Sequence, residues 1–291
     1  MNASIPVIAD PKVTRHILSA FHLRASKRLG QNFLVDAGVV RAIVDVADLS
    51  PADTVLEIGP GIGTLTQGLA ESGARIVAVE LDKKLPAVLA ETLKGYDNVT
   101  VVPGDILKLD ILRILNLGAG ERFKVVANLP YYITTPILMA LLEQHLPIER
   151  MVTMVQKEVA LRMKAAPGTK DYGALSLAVQ YYSEPAIVQE VPPHCFIPRP
   201  NVSSSVIHLR LHKKAPVSVQ DPALLFKTIK FSFMQRRKTL VNALASGFHL
   251  DKRQLQDLLS SLSYPENVRG ETLSLADFSL ISDGIREILS R

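Results

Sequence analysis

The chain has 291 residues, of which 47% are hydrophobic and 21% charged, which allows two domains and excludes a largely disordered chain. A single cysteine, Cys195, excludes a disulfide scaffold and a cysteine-built zinc site, and early charged residues predict no export signal, so we expect a cytoplasmic protein. The formal net charge of +5 is unevenly spread, because residues 12–41 hold six basic residues against one acidic residue and residues 208–253 hold ten against two.

The two basic segments lie toward opposite ends of the chain. This distribution favours contact with a polyanion, because neutralising phosphates releases their counterions. It is also typical of a solvated basic face, so charge alone leaves nucleic-acid binding open. The candidate nucleic-acid contacts in these segments are Arg24, Lys27, Arg28, Arg236, Arg237 and Lys238.

Between about residues 50 and 160, short β-branched runs alternate with helical patterns. The predicted strands are Thr54–Ile58, Arg75–Val79, Val99–Val102, Lys124–Ala127 and Met151–Val155. The predicted helices are Thr64–Ser72, Lys83–Lys94, Pro136–His145 and Lys157–Lys164. Alternation of this kind indicates βαβ units, and therefore an α/β fold with a mostly parallel sheet.

A glycine-rich turn, Gly59-Pro-Gly61-Ile-Gly63, follows the first of these strands. Glycines there let the backbone approach a ligand and leave N–H groups of the next helix free to bind it. The dinucleotide pattern G-x-G-x-x-G needs a glycine where threonine stands, which argues against NAD. A purely structural turn is the alternative. We expect Glu57, just before the turn, to support the backbone rather than to act as a catalytic acid.

Two carboxylates follow the next two strands. Glu80 comes directly after Arg75–Val79, where it can accept hydrogen bonds from both hydroxyls of a ribose. Asp105 follows the third strand, where it can reach an adenine amino group. Because ligands of open α/β sheets bind at the carboxyl ends of the strands, these residues and the glycine turn predict an adenosine-containing ligand.

The fourth strand ends in the turn Asn128-Leu129-Pro130-Tyr131. An amino group attached to an aromatic ring is a poor nucleophile, because its lone pair is delocalised into the ring. The Asn128 side-chain oxygen and the Leu129 carbonyl can accept its two N–H hydrogens and favour a pyramidal nitrogen, with Pro130 stiffening the turn. Tyr131 can stack on the ring. The turn therefore suits methylation of such an amino group, a reaction that requires no strong general base. A hydrophobic strand exit with a proline turn is the alternative.

Two more strands, predicted at Ala186–Glu190 and Ser203–Leu211, close the sheet as an antiparallel pair. Phe196, in the proline-rich segment between them, is a candidate to cover the other face of the target base. Cys195 lies beside His194, but no third orienting group is near in the sequence, so we interpret it as a loop cysteine. The spacing of the histidines predicts no metal site.

From Asp221 onward the pattern is helical. Helices are predicted at Pro222–Met234, Arg236–Ser246, Lys252–Leu262 and Leu275–Leu289. These segments indicate a small all-helical C-terminal domain.

Taken in order, these motifs resemble the KsgA/RsmA ribosomal RNA adenine dimethyltransferases. The matching blocks are Leu29-Gly-Gln31-Asn32-Phe33-Leu34, Val55-Leu-Glu-Ile-Gly59-Pro-Gly61, Glu80-Leu-Asp82, Gly104-Asp105, Asn128-Leu-Pro-Tyr131, Val155-Gln-Lys-Glu158, Tyr172-Gly-Ala-Leu-Ser176, Phe196-Ile-Pro-Arg-Pro-Asn-Val-Ser203 and Arg236-Arg-Lys-Thr-Leu240. Each block alone is weak evidence for the family, whereas the whole set in this order is highly specific for it. Tyr132 is a departure, since many relatives carry asparagine there.

The resemblance implies a Rossmann-like class I methyltransferase core (29–212), preceded by a basic tail (1–28) and followed by a helical rRNA-binding domain (213–291). It implies S-adenosylmethionine as the cofactor, contacted by Asn32, Leu34, Gly59, Gly61, Glu80, Asp105 and Asn128. The tail could add an RNA contact or be disordered.

The implied substrate is a pair of adjacent adenines in the 3′-terminal hairpin of small-subunit (16S) rRNA, each dimethylated on N6 within an assembling 30S particle. We expect a monomer, which is the default for a protein that docks on a ribosomal particle, and the sequence predicts neither a metal nor a membrane partner. One alternative is an Erm-type methyltransferase acting on a large-subunit rRNA adenine. Another is a ribosome-assembly factor in which binding outweighs catalysis.

Overall fold

The computed structural model describes residues 6–235 and 237–290, and it divides the chain into two compact units. The first contains the described residues of Met1–Ala160 and Ala186–Leu211. The second contains those of Leu161–Pro185 and His212–Arg291. Besides the predicted C-terminal helices, the second unit thus includes residues 161–185, which the sequence analysis placed in the methyltransferase core (29–212).

The strands of the described chain belong to one large sheet and one small one. Their bounds are β1 (Phe33–Leu34), β2 (Thr54–Ile58), β3 (Arg75–Glu80), β4 (Val99–Pro103), β5 (Phe123–Asn128), β6 (Ile148–Gln156), β7 (Ser183–Val191), β8 (Phe196–Ile197) and β9 (Ser204–Leu211). The large sheet has the order β4-β3-β2-β5-β6-β9-β7, and β1 pairs with β8. The pairs from β4 to β6 are parallel and β9 is antiparallel to β6, which confirms the predicted mixed sheet.

The helices of the described chain include four that the sequence analysis did not predict, α1, α2, α5 and α8. The bounds are α1 (Pro11–Ala20), α2 (Ala37–Ala47), α3 (Thr64–Ala70), α4 (Leu85–Thr92), α5 (Ile111–Leu115), α6 (Thr134–Glu143), α7 (Lys157–Lys164), α8 (Ala174–Tyr182), α9 (Pro222–Met234), α10 (Leu240–Phe248), α11 (Lys252–Ser261) and α12 (Leu275–Leu289). None of the described helices is both long and apolar enough to cross a membrane.

The N-terminal segment from Pro6 is folded onto the first unit. The Asp10 side chain accepts hydrogen bonds from the backbone of Lys12 and Val13, which caps the start of α1. Ile8 and Ile17 pack in one apolar cluster with core residues of the first unit. The Gln67 side chain also accepts a hydrogen bond from the Ile8 N–H over 2.8 Å. The described residues of the predicted basic tail therefore form part of the fold of the first unit.

The order of the large sheet creates a crevice at its centre. The chain runs outward from β2 to β3 and β4, then returns to the other side of β2 for β5 and β6. Open α/β sheets bind ligands at such a reversal, beyond the carboxyl ends of the two strands. Every residue of β2 is buried, because helices cover both faces of a parallel sheet. The fold therefore places the glycine turn after β2 opposite the Asn128 turn after β5.

The second unit is built around an apolar cluster of its own. Leu177 of α8 belongs to this cluster, together with Leu225 and Ile229 of α9 and Phe278 of α12. The predicted helix at Arg236–Ser246 instead spans Leu240–Phe248, because the chain turns between α9 and α10. Arg236 lies outside the described residues.

Candidate active site

The glycine turn bends sharply between β2 and α3. Gly59 and Gly61 have φ values of 70° and 62°, a region that residues with a Cβ rarely adopt. A Cβ on Gly61 would lie 3.3 Å from the Phe33 ring. Both backbone conformation and space therefore require glycine at residue 61, and the turn leaves room for a ligand at the start of α3.

Glu80 lies at the end of β3, beside this turn. It is 6% exposed, and its Oε2 accepts a hydrogen bond from the Gly61 N–H over 3.2 Å. Its Oε1 accepts another from the Asp82 N–H over 2.7 Å. Burial raises the pKa of Glu80, while these backbone donors act in the opposite direction. The two bonds hold the carboxyl in a defined orientation at the strand end.

Asp105 stands one strand further along the same edge. The Gly104 N–H donates to the Glu80 carbonyl over 2.8 Å, so the loop after β4 continues the pairing with β3. Asp105 Oδ1 accepts a hydrogen bond from the Leu107 N–H over 3.1 Å. Glu80 and Asp105 line one cavity, as their positions after neighbouring strands predict.

The cavity brings together residues from distant parts of the sequence. Among the predicted cofactor contacts, its lining includes Asn32, Leu34, Gly59, Gly61, Glu80, Asp105 and Asn128. It also includes Gln31, Glu57, Thr64 and Tyr132, to which the sequence analysis gave no cofactor contact. Gln31 belongs to the quoted block that begins at Leu29, and Tyr132 directly follows the turn that ends at Tyr131, so both positions were indicated by the motifs. Their roles in binding stay predictions.

Asn128 lies at the end of β5 with its side chain oriented by the N-terminal segment. Its Nδ2 donates to the Asn32 carbonyl over 3.4 Å, a long hydrogen bond that leaves Oδ1 as the acceptor of the amide. The Leu129 N–H donates to the Met154 carbonyl over 3.1 Å, and the Pro130 carbonyl accepts from Thr134 Oγ1 over 2.9 Å. The turn is therefore braced on both sides of Leu129.

The two predicted stacking residues stand apart from the lining of this cavity in the described structure. Tyr131 is half-buried, and its hydroxyl is 2.6 Å from Ser204 Oγ. Burial raises the pKa of Tyr131. Phe196 is 1% exposed within the core of the first unit, and it is paired with Leu34 across β1 and β8. This conformation gives Phe196 no free ring face, so base stacking on it requires the ring to be uncovered and stays a prediction.

Replacement of Phe196 tests whether its ring stabilises the core or stacks on the target base. We expect Phe196→Ala to lower the free energy of unfolding by about 3–5 kcal/mol, because it leaves a cavity in the core. Denaturant unfolding measures this loss, and Phe196→Leu, which keeps most of the volume, should lose clearly less. Unchanged stability together with impaired methyl transfer would instead support a stacking role.

Tyr132 lines the cavity, unlike Tyr131 and Phe196. It is 52% exposed, and a Cβ on Gly30 would lie 3.3 Å from its Cδ1, so the ring lies against the N-terminal segment. We expect Tyr132→Asn to raise the cofactor dissociation constant about 2- to 10-fold, since one aromatic contact is worth about 0.5–1.5 kcal/mol. Titration calorimetry measures the constant, and Tyr132→Phe should match the wild type. Equal effects of both variants would assign the role to the hydroxyl.

Cys195 is a buried thiol. Its Sγ lies 3.6 Å from Asp36 Oδ2, and burial followed by this carboxylate raises the pKa of Cys195 to about 11. A thiol that keeps its proton at neutral pH is a poor nucleophile, in agreement with its interpretation as a loop cysteine. Across the described residues, no group of three or more His, Cys, Asp or Glu side chains could hold a metal ion.

The predicted RNA contacts are divided between the two units. Arg24 and Arg28 are exposed in the first unit, and Arg237 and Lys238 are exposed in the turn before α10 of the second. The Lys27 side chain and Arg236 lie outside what the structure describes. RNA binding by these residues stays a prediction.

The cavity fits S-adenosylmethionine by the chemistry of its walls. Glu80 can accept from ribose hydroxyls and Asp105 from an adenine amino group. Glu57 contributes a buried oxygen, Oε2, without a hydrogen-bond partner among the described residues, which suits a cationic group of the ligand. A Rossmann-like sheet with this site at its switch point defines a class I S-adenosylmethionine-dependent methyltransferase.

Comparison with known proteins identifies the family. The sequence model of the family described as "Ribosomal RNA adenine dimethylase" matches residues 22–279. The chain belongs to this family, and it is an rRNA adenine dimethyltransferase that uses S-adenosylmethionine. The "Ribosomal RNA small subunit methyltransferase A" of Lachnoclostridium phytofermentans is 52% identical over 96% of this chain and 98% of that protein. The protein of that name from Clostridioides difficile is 46% identical, over 97% and 98%.

Two solved structures share the fold over most of the chain. A dimethyladenosine transferase from Plasmodium falciparum has a TM-score of 0.71 at 23% identity, over 86% of this chain and 95% of that one. The 23S rRNA methyltransferase ErmE has a TM-score of 0.66 at 25% identity, over 88% and 100%. Since both types of enzyme share the fold, the choice between rRNA subunits depends on the sequence relatives, which favour the small subunit.

Proposed function

We propose that the protein dimethylates N6 of two adjacent adenines in the 3′-terminal hairpin of 16S rRNA. The assignment to the small subunit is supported by the curated relatives, which carry that subunit in their names at 46–52% identity over nearly the whole chain. We further propose that it acts as a cytoplasmic monomer on an assembling 30S particle, without a metal. The two basic segments then contact rRNA phosphates.

The braced turn at Asn128 is the observation that carries the chemistry. Asn128 Oδ1 and the Leu129 carbonyl accept the two N–H hydrogens of the target amino group, so that its lone pair points away from the ring plane. When bound, S-adenosylmethionine supplies an electrophilic methyl group on a sulfonium. The Asn32 carbonyl keeps the Asn128 amide from rotating, because it engages Nδ2.

Proton removal needs no dedicated base in this proposal. Methyl transfer leaves a cationic, acidic nitrogen that still carries both hydrogens. One of these protons passes to solvent, which leaves a neutral secondary amine with one hydrogen. For a second methylation one acceptor is released while the other still orients the nitrogen. This supports dimethylation by a single site without a change of catalytic residues.

Transfer of labelled methyl groups to ribosomal subunits that lack these modifications tests the function. We expect up to four methyl groups on each small subunit, recovered as dimethyladenine. Label in large-subunit RNA would instead support the Erm-type activity. No label with retained binding to small subunits would support an assembly factor in which binding outweighs catalysis.

A further inference from the structure

Glu57 is a buried carboxyl on the cavity wall that the methyl-transfer chemistry does not use. It lies in β2 one residue before the strand ends, and it is 1% exposed. In the described structure its Oε2 has no hydrogen-bond partner. Buried polar atoms are nearly always satisfied by protein, water or a ligand, so this oxygen indicates a missing partner.

The groups around Glu57 do not supply that partner. Its register neighbours are Ala78 on β3 and Val126 on β5, which are both apolar. From α3, Thr66 faces the carboxyl and lowers its pKa, although the Thr66 hydroxyl makes no hydrogen bond of ordinary geometry within the described residues. The Thr64 hydroxyl of the same helix is likewise buried there without a partner.

The charges that face the cavity are all negative. Glu80, on the neighbouring strand, repels a charge on Glu57, and Asp105 lies on the same wall. Among the described lining residues there is no lysine, arginine or histidine. Burial first and Glu80 second raise the pKa of Glu57 to about 8. The carboxyl is therefore mostly neutral at pH 7 while the cavity holds no cation.

Glu80 and Glu57 differ in the hydrogen bonds that their carboxyl oxygens accept. Both Glu80 oxygens accept backbone N–H groups, which stabilise its charged form. Burial raises the pKa of Glu80 too, but its two backbone donors oppose that rise, whereas Glu57 Oε2 has no such donor in the described structure. We therefore assign the proton that a cation displaces to Glu57.

We propose that Glu57 holds a proton in the free protein and releases it to solvent when a cationic group of the cofactor enters the cavity. The proposal rests on S-adenosylmethionine binding at this site. The expelled proton passes to the buffer, and the resulting carboxylate pairs with the cation. Cofactor affinity then rises with pH, by linkage, as long as the pH stays below the pKa of Glu57 in the free protein.

Titration calorimetry in two buffers of different ionisation enthalpy measures the released proton directly. At pH 6.5 we expect about one proton released for each S-adenosylmethionine or S-adenosylhomocysteine bound, and an affinity about tenfold higher at pH 7.0 than at pH 6.0. Release with both compounds assigns the cation to their shared ammonium group. Release with S-adenosylmethionine alone assigns it to the sulfonium.

Glu57→Gln tests the source of the proton. This variant keeps the size of a neutral carboxyl but has no proton to lose, so we expect release to fall near zero and affinity to become flat between pH 6.0 and 7.5. Glu91→Gln, an exposed substitution on α4, is the matched control and should behave as the wild type. Unchanged release in Glu57→Gln would overturn the proposal.

The wild-type buffer series tests the coupling of cofactor binding to proton release even if Glu57→Gln does not fold. Cofactor binding without proton release at pH 6.5 overturns the proposal and leaves the proposed function intact. A failure of the wild type to bind either compound overturns the cofactor site itself, and the proposal with it.

Discussion

Asn128→Ala should lower the rate of methyl transfer about 10²- to 10³-fold at saturating cofactor and RNA, because it removes a preorganised acceptor aimed at the reacting amino group. The backbone of the turn should persist, since the Leu129 and Pro130 contacts to Met154 and Thr134 do not involve the Asn128 side chain. Single-turnover transfer of labelled methyl groups to undermethylated small subunits measures the rate.

Asn201→Ala is a suitable control for Asn128→Ala, because Asn201 is exposed before β9. Cofactor affinity should be measured in parallel, since Asn128 also donates to the Asn32 carbonyl on the cavity wall. An Asn128→Ala protein that transfers methyl groups at near wild-type rates would contradict the proposed role of the amide oxygen. A loss confined to cofactor affinity would make Asn128 a cofactor contact alone.

Glu80→Ala should weaken cofactor binding about 10- to 150-fold, because a hydrogen bond to a charged group contributes about 1.5–3 kcal/mol. The substitution also leaves the N–H groups of Gly61 and Asp82 without their acceptor. Equilibrium binding of S-adenosylhomocysteine measures the effect without turnover. Glu80→Gln, which keeps an acceptor oxygen, should lose less affinity than Glu80→Ala.

The control for Glu80→Ala is Glu91→Ala, an exposed change on α4. It should leave the dissociation constant unchanged. If Glu80→Ala bound the cofactor as tightly as the wild type, the assignment of Glu80 to the ribose would be wrong. Thermal unfolding of the same samples separates loss of binding from loss of the fold.

Local sequence patterns predicted much of the sheet and helices. β2, α7, α9 and α12 have the predicted bounds, because their apolar spacing and flanking residues act over a few positions. α2 was missed although Asp36 caps it and apolar residues recur along one face, so its signal was present. α8 packs into the second unit, and neighbouring residues alone do not specify which core a helix joins.

The chemical groups of the site and their order along the chain follow from the amino-acid sequence alone. The glycine turn, Glu80, Asp105 and the Asn128 turn each follow a strand, and parallel strands bring such ends to one edge. The burial of the site residues and their contacts with distant parts of the chain depend on the folded structure. The tertiary structure brought the Asn32 carbonyl to Asn128 and covered the Phe196 ring. It also enclosed Glu57 in a cavity whose described lining has no basic side chain. Solvent exposure and the charges of distant neighbours set these properties, and only the folded chain determines both.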